Sequence, residues 1–301
     1  MKTFQDIISK LLILVGFSLV IGGLFSIISL YAAPYLFGLK VPDTQVIFNN
    51  PTNPDYSGAL KFIQLFNSIG LFVIPPFLFL SYYKEKPFEY LHLKKGINGR
   101  TIFFLLLIYM ISIPGMEWLI KFNGQLSLPD ALQSIELWMK DAEARAKEMT
   151  TVFLTMNGIN DLIINLLIIA IIPAIGEELI FRGVLQKQLQ GWTKNGHLAV
   201  WVTAFIFSAI HLQFYGFLPR LLLGALFGYY YLWSNNLWVP IVAHFINNGT
   251  AVVISYATNS TSTDVELEAM NREGSEIYVI ISLLILYLTI KRLKQNMAEE
   301  V

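Results

Sequence analysis

The sequence predicts an all-α, polytopic membrane protein of about eight transmembrane helices, on three observations. Of its 301 residues 55% are hydrophobic and only 14% charged, whereas a soluble domain carries about a quarter charged residues. A mean hydropathy of +0.56 gathers into runs near the roughly 20 apolar residues that cross a bilayer. Lysine and arginine collect in alternate loops, the bias left by helix insertion. The formal net charge is zero, so no basic face points to nucleic acid. Cysteine is absent, which removes disulfides, thiolate metal ligands and cysteine nucleophiles together.

Taken in order, the expected spans are 11–33, 62–82, 101–120, 152–181, 199–212, 218–233, 238–257 and 277–290. The first is too long for the apolar core of a signal peptide and no small-residue cleavage site follows it. Pro75 and Pro76 are expected to kink the second, which neighbouring helices can tolerate. Between the third and fourth, Leu128–Thr150 mixes charges with Leu132, Ile135, Leu137, Trp138 and Met149. That pattern suits an amphipathic helix on the outer membrane surface, or a solvated linker helix. The expected division is an N-terminal region, 1–150, and a core, 151–301.

Lys84, Lys86, Lys94, Lys95 and Arg100 follow the second span, while Lys291, Arg292 and Lys294 follow the last. With Lys2 and Lys10, these place both termini in the cytoplasm. The opposite side holds Asp264, Glu266, Glu268, Glu273 and Glu276 against Arg272.

Charge then reappears where hydrocarbon should exclude it. No Lys, Arg, Asp or Glu occurs from Leu162 through Gly176, after which come Glu177 and Glu178. A buried acid costs a few kcal/mol at least, so an intramembrane pair marks a functional site. Glu178 and Arg182 are i and i+4 and can pair on one face. Glu177 lies about 100° round the helix and is left to handle a proton. Phe207 and His211 share the i, i+4 spacing, as do His244 and Asn248. His92 and His197 fall in polar loops and are expected to be solvated.

Counting residues brings the groups to one depth. Glu177 lies 14 residues before Gly191 and His211 lies 14 after His197, on either side of one polar turn. Allowing for helix overhang, both are expected roughly 10–15 Å below the cytoplasmic surface, with His244 at about 12 Å. A carboxylate and an imidazole there can hold and deprotonate a water. Imidazole and amide donors can face a developing oxyanion. Ser208 has nothing else to make it a nucleophile, so hydrolysis by activated water fits best. Glu177, His211 and His244 are also permissible Zn²⁺ ligands, although the His-Glu-x-x-His spacing is lacking. The metal question stays open at this point.

The three motifs Glu177-Glu178-x-x-x-Arg182, Phe207-x-x-x-His211 and His244-x-x-x-Asn248 resemble, in that order, those of the CPBP intramembrane proteases. These are relatives of type II CAAX prenyl endopeptidases and of the Abi bacteriocin-immunity proteins. The likeness covers about 171–249. It implies an eight-helix fold with an intramembrane catalytic cavity open to the cytoplasm and the lipid. Glu177 and His211 would activate water, His244 and Asn248 would be oxyanion stabilisers or secondary ligands, and Glu178 and Arg182 would shape the site. The family is described both as metalloproteases and as glutamate-driven enzymes.

The expectation is therefore an intramembrane endopeptidase in a bacterial inner membrane, acting on a membrane-embedded or lipidated peptide. The alternatives are a bacteriocin-immunity protein that acts by binding, or a transporter using Glu177 and His211 as a proton relay. Internal repeats, common in transporters, are not evident.

Overall fold

A computed structural model of the protein describes residues 4–39, 44–259 and 276–299. Among these the regular structure is helical throughout, with no strand. The longer helices are α1 (Phe4–Leu36), α2 (Pro54–Tyr82), α3 (Gly99–Gly124), α4 (Gln133–Leu154), α5 (Ile159–Thr193), α6 (Gly196–Ala209), α7 (Phe217–Ser234), α8 (Trp238–Thr258) and α9 (Glu276–Glu299), with short helices at Thr44–Asn49 and Pro87–Tyr90. Each of the eight expected segments falls mostly on a helix, the fourth only from Ile159 and the fifth only to Ala209, and the amphipathic segment forms α4. Among the described residues five helices (α1, α2, α3, α5 and α8) are long and apolar enough to cross a membrane, and α6 is a shorter apolar helix. The chain is an integral membrane protein. The acidic stretch Asp264, Glu266, Glu268 and Glu273, with Arg272, and Lys2 lie outside the described residues.

Several boundaries differ from expectation. The fourth span begins at Ile159, not Val152, because the chain leaves the helix after Leu154 and passes through extended Gly158. Val152 and Leu154 instead cap the far end of α4, buried against neighbouring helices. The same span runs on to Thr193, where Lys194 adopts a left-handed conformation and Asn195 caps α6 by accepting from the Leu198 N–H. Pro75 and Pro76 open a regular helical segment just after the π-helical stretch Ile69–Val73. That stretch absorbs the change in bonding that missing proline donors impose.

One end of the bundle is organised by the lysine-rich loop. His92 Nδ1 donates to the Asn235 carbonyl at 2.9 Å, and Lys187 Nζ meets His92 Nε2 at 2.9 Å and bonds the Tyr90 carbonyl. Trp238 Nε1 donates to the Leu93 carbonyl at 3.1 Å. His92 thus clamps the loop while remaining partly exposed to solvent. His197 is likewise bonded, to the Tyr229 hydroxyl at 3.0 Å.

The other end is tied together by Asn123, in the last turn of α3. Its amide donates to the Phe214 carbonyl at 2.9 Å and accepts from the Leu218 N–H at 3.0 Å, holding the α6–α7 turn on both sides. Helix α4 joins there, with Trp138 5.3 Å from Phe214 and Glu143 accepting from the Tyr215 N–H at 3.4 Å. Ile135, Leu137 and Trp138 remain exposed on α4, as an apolar face lying against lipid would be.

Between the ends, the main apolar cluster surrounds the middle of α5. Leu179, Phe181, Val184 and Leu185 pack with Leu91, Phe207, Tyr231 and Leu237. A Cβ at Gly176 would lie 2.8 Å from Phe72 Cβ, so only glycine lets α5 rest on α2 immediately before the glutamate pair.

Candidate functional site

Glu177 and Glu178 end a short α-helical segment, Ile172–Glu178, set between two π-helical stretches, Leu166–Ile171 and Leu179–Gln186. Such wide turns recur at functional sites, because they shift the face on which following residues emerge. Here they send adjacent carboxylates into different surroundings. The Glu178 side chain is 0% exposed, whereas that of Glu177 is 15% exposed and lines a cavity.

Glu178 serves two partners. Its Oε1 accepts from Arg182 Nη1 at 2.7 Å and from His244 Nδ1 at 2.9 Å. Arg182 Nη2 donates to the Gly224 carbonyl at 2.8 Å, and its guanidinium lies over Phe207 and Phe227 at 4.9 and 5.7 Å from the ring centroids. The Glu178–Arg182 pairing follows its i, i+4 spacing, and His244 makes it a triad. One turn further, the buried Gln186 donates to the Gly228 carbonyl at 2.9 Å, extending the polar column along α5.

The cavity, about 330 Å³, is lined by Glu177, Phe207, His211, His244 and Asn248. All three motifs therefore converge, although they come from α5, the end of α6 and α8. His244 directs Nε2 toward Glu177 Oε2, 3.9 Å away, since Nδ1 is committed to Glu178. Phe227 stacks on the His244 ring at 5.2 Å. His211 Nδ1 lies 2.7 Å from the Phe207 carbonyl. A carbonyl only accepts, so Nδ1 carries the hydrogen and a neutral His211 keeps Nε2 as an acceptor. The Phe207 ring packs edge-on beside His211 at 5.0 Å, as the spacing predicts.

His211 differs from expectation in its backbone. It lies in the turn after α6 ends at Ala209, not within a span. Asn248 lines the cavity with His244, but its Nδ2 also donates to the Ile169 carbonyl at 3.1 Å and its Oδ1 accepts from Asn247 at 3.0 Å. Ile169 sits in the first π-helical stretch, where carbonyls are freed from the regular ladder.

Other wall residues were not anticipated. Arg220, one turn into α7, lines the cavity and is held by Gln213, with Nη2 2.6 Å from its Oε1 and Nη1 3.4 Å from its carbonyl. A Cβ at Gly216 would lie 3.2 Å from Arg220 Nη2, so this glycine leaves room for the guanidinium. A lone cation inside the 218–233 span was the available signal. Glu143 and Lys147 of α4 also face the cavity, and nothing in a mixed-charge surface helix distinguishes them beforehand.

Among the described residues no group of three histidine or acidic side chains converges tightly enough to hold a metal ion. Glu177, His211 and His244 have suitable donor atoms, but they surround the cavity rather than share one coordination shell.

Residues 159–250 match the family model described as Rce1-like, type II CAAX prenyl endopeptidase Rce1-like. The match runs from the first residue of α5 into α8 and takes in all three motifs. Among curated proteins, "Uncharacterized protein YpbD" of Bacillus subtilis (strain 168) is 33% identical over 86 residues, covering 27% of this chain and 41% of that protein. The chain thus spans about two fifths of the length of the curated relative it matches. No solved structure matches the chain.

Proposed function

We propose that the Rce1-like segment makes this protein an intramembrane endopeptidase, hydrolysing a peptide bond in a membrane-embedded or lipidated peptide. The observation that carries the reading is one cavity in an apolar bundle holding Glu177, His211 and His244 together with the amides of Asn247 and Asn248. His211, His244, Asn247 and Asn248 are each oriented by a hydrogen bond, and Glu177 faces the cavity.

In this mechanism Glu177 accepts a proton from a water that His211 Nε2 helps to orient, and the water oxygen attacks the scissile carbonyl carbon. The carbonyl π bond opens and its electron pair moves to oxygen. Asn247 and Asn248 line the same wall, and the amide N–H that each retains beyond its bond to Asn248 Oδ1 or to the Ile169 carbonyl faces that oxyanion. As the tetrahedral intermediate collapses, the C–N bond breaks and Glu177 returns its proton to the leaving amine. Glu178 is a positioning residue, setting the His244 ring through Nδ1.

We place the chain in a bacterial inner membrane with the lysine-rich end in the cytoplasm. The test is cleavage of a quenched fluorogenic lipidated peptide by purified protein in detergent, repeated after dialysis against chelator and after zinc addition. Wild type is expected to cleave and Glu177→Gln to fail while keeping its melting profile. Equal rates in the two proteins end the proposal. Loss on chelation with recovery on zinc would reassign the water activation to a metal.

A further inference from the structure

The cavity is open toward one end of the bundle and closed toward the other, and the two ends differ in charge. Its outer walls are Ile120, Glu143, Lys147, Gln213, Tyr215 and Gly216. These belong to the close of α3, to α4 and to the α6–α7 turn, the three segments that Asn123, Trp138 and Glu143 bind into one end. In the opposite direction lie Glu178, Arg182 and Gln186, fully buried at four-residue spacing, with Leu179, Val184 and Leu237 packed around them.

Among the described residues, none of the cavity's walls comes from the lysine-rich loop, the α5–α6 turn or the α7–α8 turn. Those segments meet at the closed end through His92, Lys187 and Trp238. The start of α1 is there too, with Lys10 4.8 Å above the Tyr83 ring, as is the end of α9, where Asn296 lies 3.4 Å from Thr101. The expectation that the site lies just beneath the membrane face carrying the termini is therefore corrected. Helix α6 spans 14 residues, about 21 Å of rise, so His211 is carried across to the α4 end.

The closed end carries the lysines and arginine of the 84–100 loop, with Lys291, Arg292 and Lys294 near the end of α9. The α4 end is less basic, and two of its cations are paired on their own helix, Lys140 with Glu136 and Arg145 with Asp141, both at 2.7 Å. Orientation follows lysine and arginine counts in short loops, which puts the closed end in the cytoplasm.

We infer that the cavity opens on the non-cytoplasmic side, so that its substrate is a peptide segment presented in or just outside the outer leaflet: an exported, membrane-anchored chain rather than the tail of a cytosolic protein. The word substrate rests on the endopeptidase reading, whereas the side of opening rests on geometry and charge alone. Helix α4 roofs the entrance with its apolar face toward lipid and Glu143 and Lys147 toward the cavity, an arrangement suited to a peptide with a lipid-bound portion and a polar scissile region.

The chain contains no cysteine, so a single introduced thiol reports its own exposure. Three variants are labelled with a membrane-impermeant maleimide in intact and permeabilised cells: Lys94→Cys in the basic loop, Arg145→Cys on α4 and Tyr215→Cys at the cavity mouth. Arg145→Cys and Tyr215→Cys are expected to react in intact cells, and Lys94→Cys only after permeabilisation. Failure of Tyr215→Cys to react from outside, or reaction of Lys94→Cys in intact cells, overturns the inference. A second arm adds a diacylated fluorogenic peptide to sealed vesicles. Cleavage is expected in right-side-out vesicles and lost in inverted ones until detergent is added, and the reverse dependence again overturns the inference. A wild type inactive in detergent removes the endopeptidase reading, while the labelling still decides the side.

Discussion

Glu177 and Glu178 are adjacent in the chain but belong to two regions with opposite physical character. On the Glu178 side the polar groups are enclosed: carboxylate, guanidinium and imidazole bond one another, Gly224 supplies a carbonyl, and aromatic rings cover the cation. On the Glu177 side they face a cavity, and Arg220 leans on Gln213 in its wall. The first arrangement holds three helices in register, and the second presents groups to a ligand. A single step along a helix flanked by π-helical stretches is enough to cross between them.

If that contrast is correct, the two sides break differently. The largest effect is expected at Glu177→Gln, which removes the proton acceptor without changing shape. Loss of a general base is worth about 10²–10⁴ in rate, so the cleavage rate should fall by that order while thermal unfolding in detergent is unchanged. Arg182→Met acts on the enclosed side. Leaving Glu178 buried without its cation should destabilise by about 3–5 kcal/mol, read as a lowered melting temperature or failure to accumulate. A stable Arg182→Met protein with normal activity would erase the distinction between the regions.

Smaller effects sharpen the comparison. Asn123→Ala removes both bonds that fix the α6–α7 turn and should cost about 1–3 kcal/mol, with KM raised more than kcat is lowered. Arg145→Gln touches only an exposed pair on α4, and such pairs contribute about 0–1 kcal/mol. It should leave both melting temperature and turnover unchanged, as a control for changes at the surface.

How much of this was legible follows from which forces act locally. The eight apolar segments were readable because each helix in lipid must satisfy its own backbone, so its length and hydropathy appear in contiguous sequence. The Glu178–Arg182 and Phe207–His211 contacts were readable because four-residue spacing puts them on one face. The His244–Glu178 bond was not, since it joins helices 66 residues apart in the chain. Arg220 was visible as a cation within an apolar span, but its place in the cavity wall depends on the turn held by Asn123.

Depth was the weakest reading. Counting from one turn assumes that helices start level, whereas His244 sits in the second turn of α8 and meets Glu177 near the middle of α5. The helices are staggered by their packing, and a count along either alone does not contain that offset.

The sequence by itself determined that the chain is helical and built for lipid, which residues carry charge inside it, and which end gathers lysine. These are properties of single segments and of their transfer from water. Tertiary structure alone decided which glutamate faces the cavity, which partner orients each imidazole and at which end the cavity opens. Those depend on the relative rotation and offset of helices distant in sequence, fixed by side-chain packing and by buried hydrogen bonds that form only once the bundle has assembled.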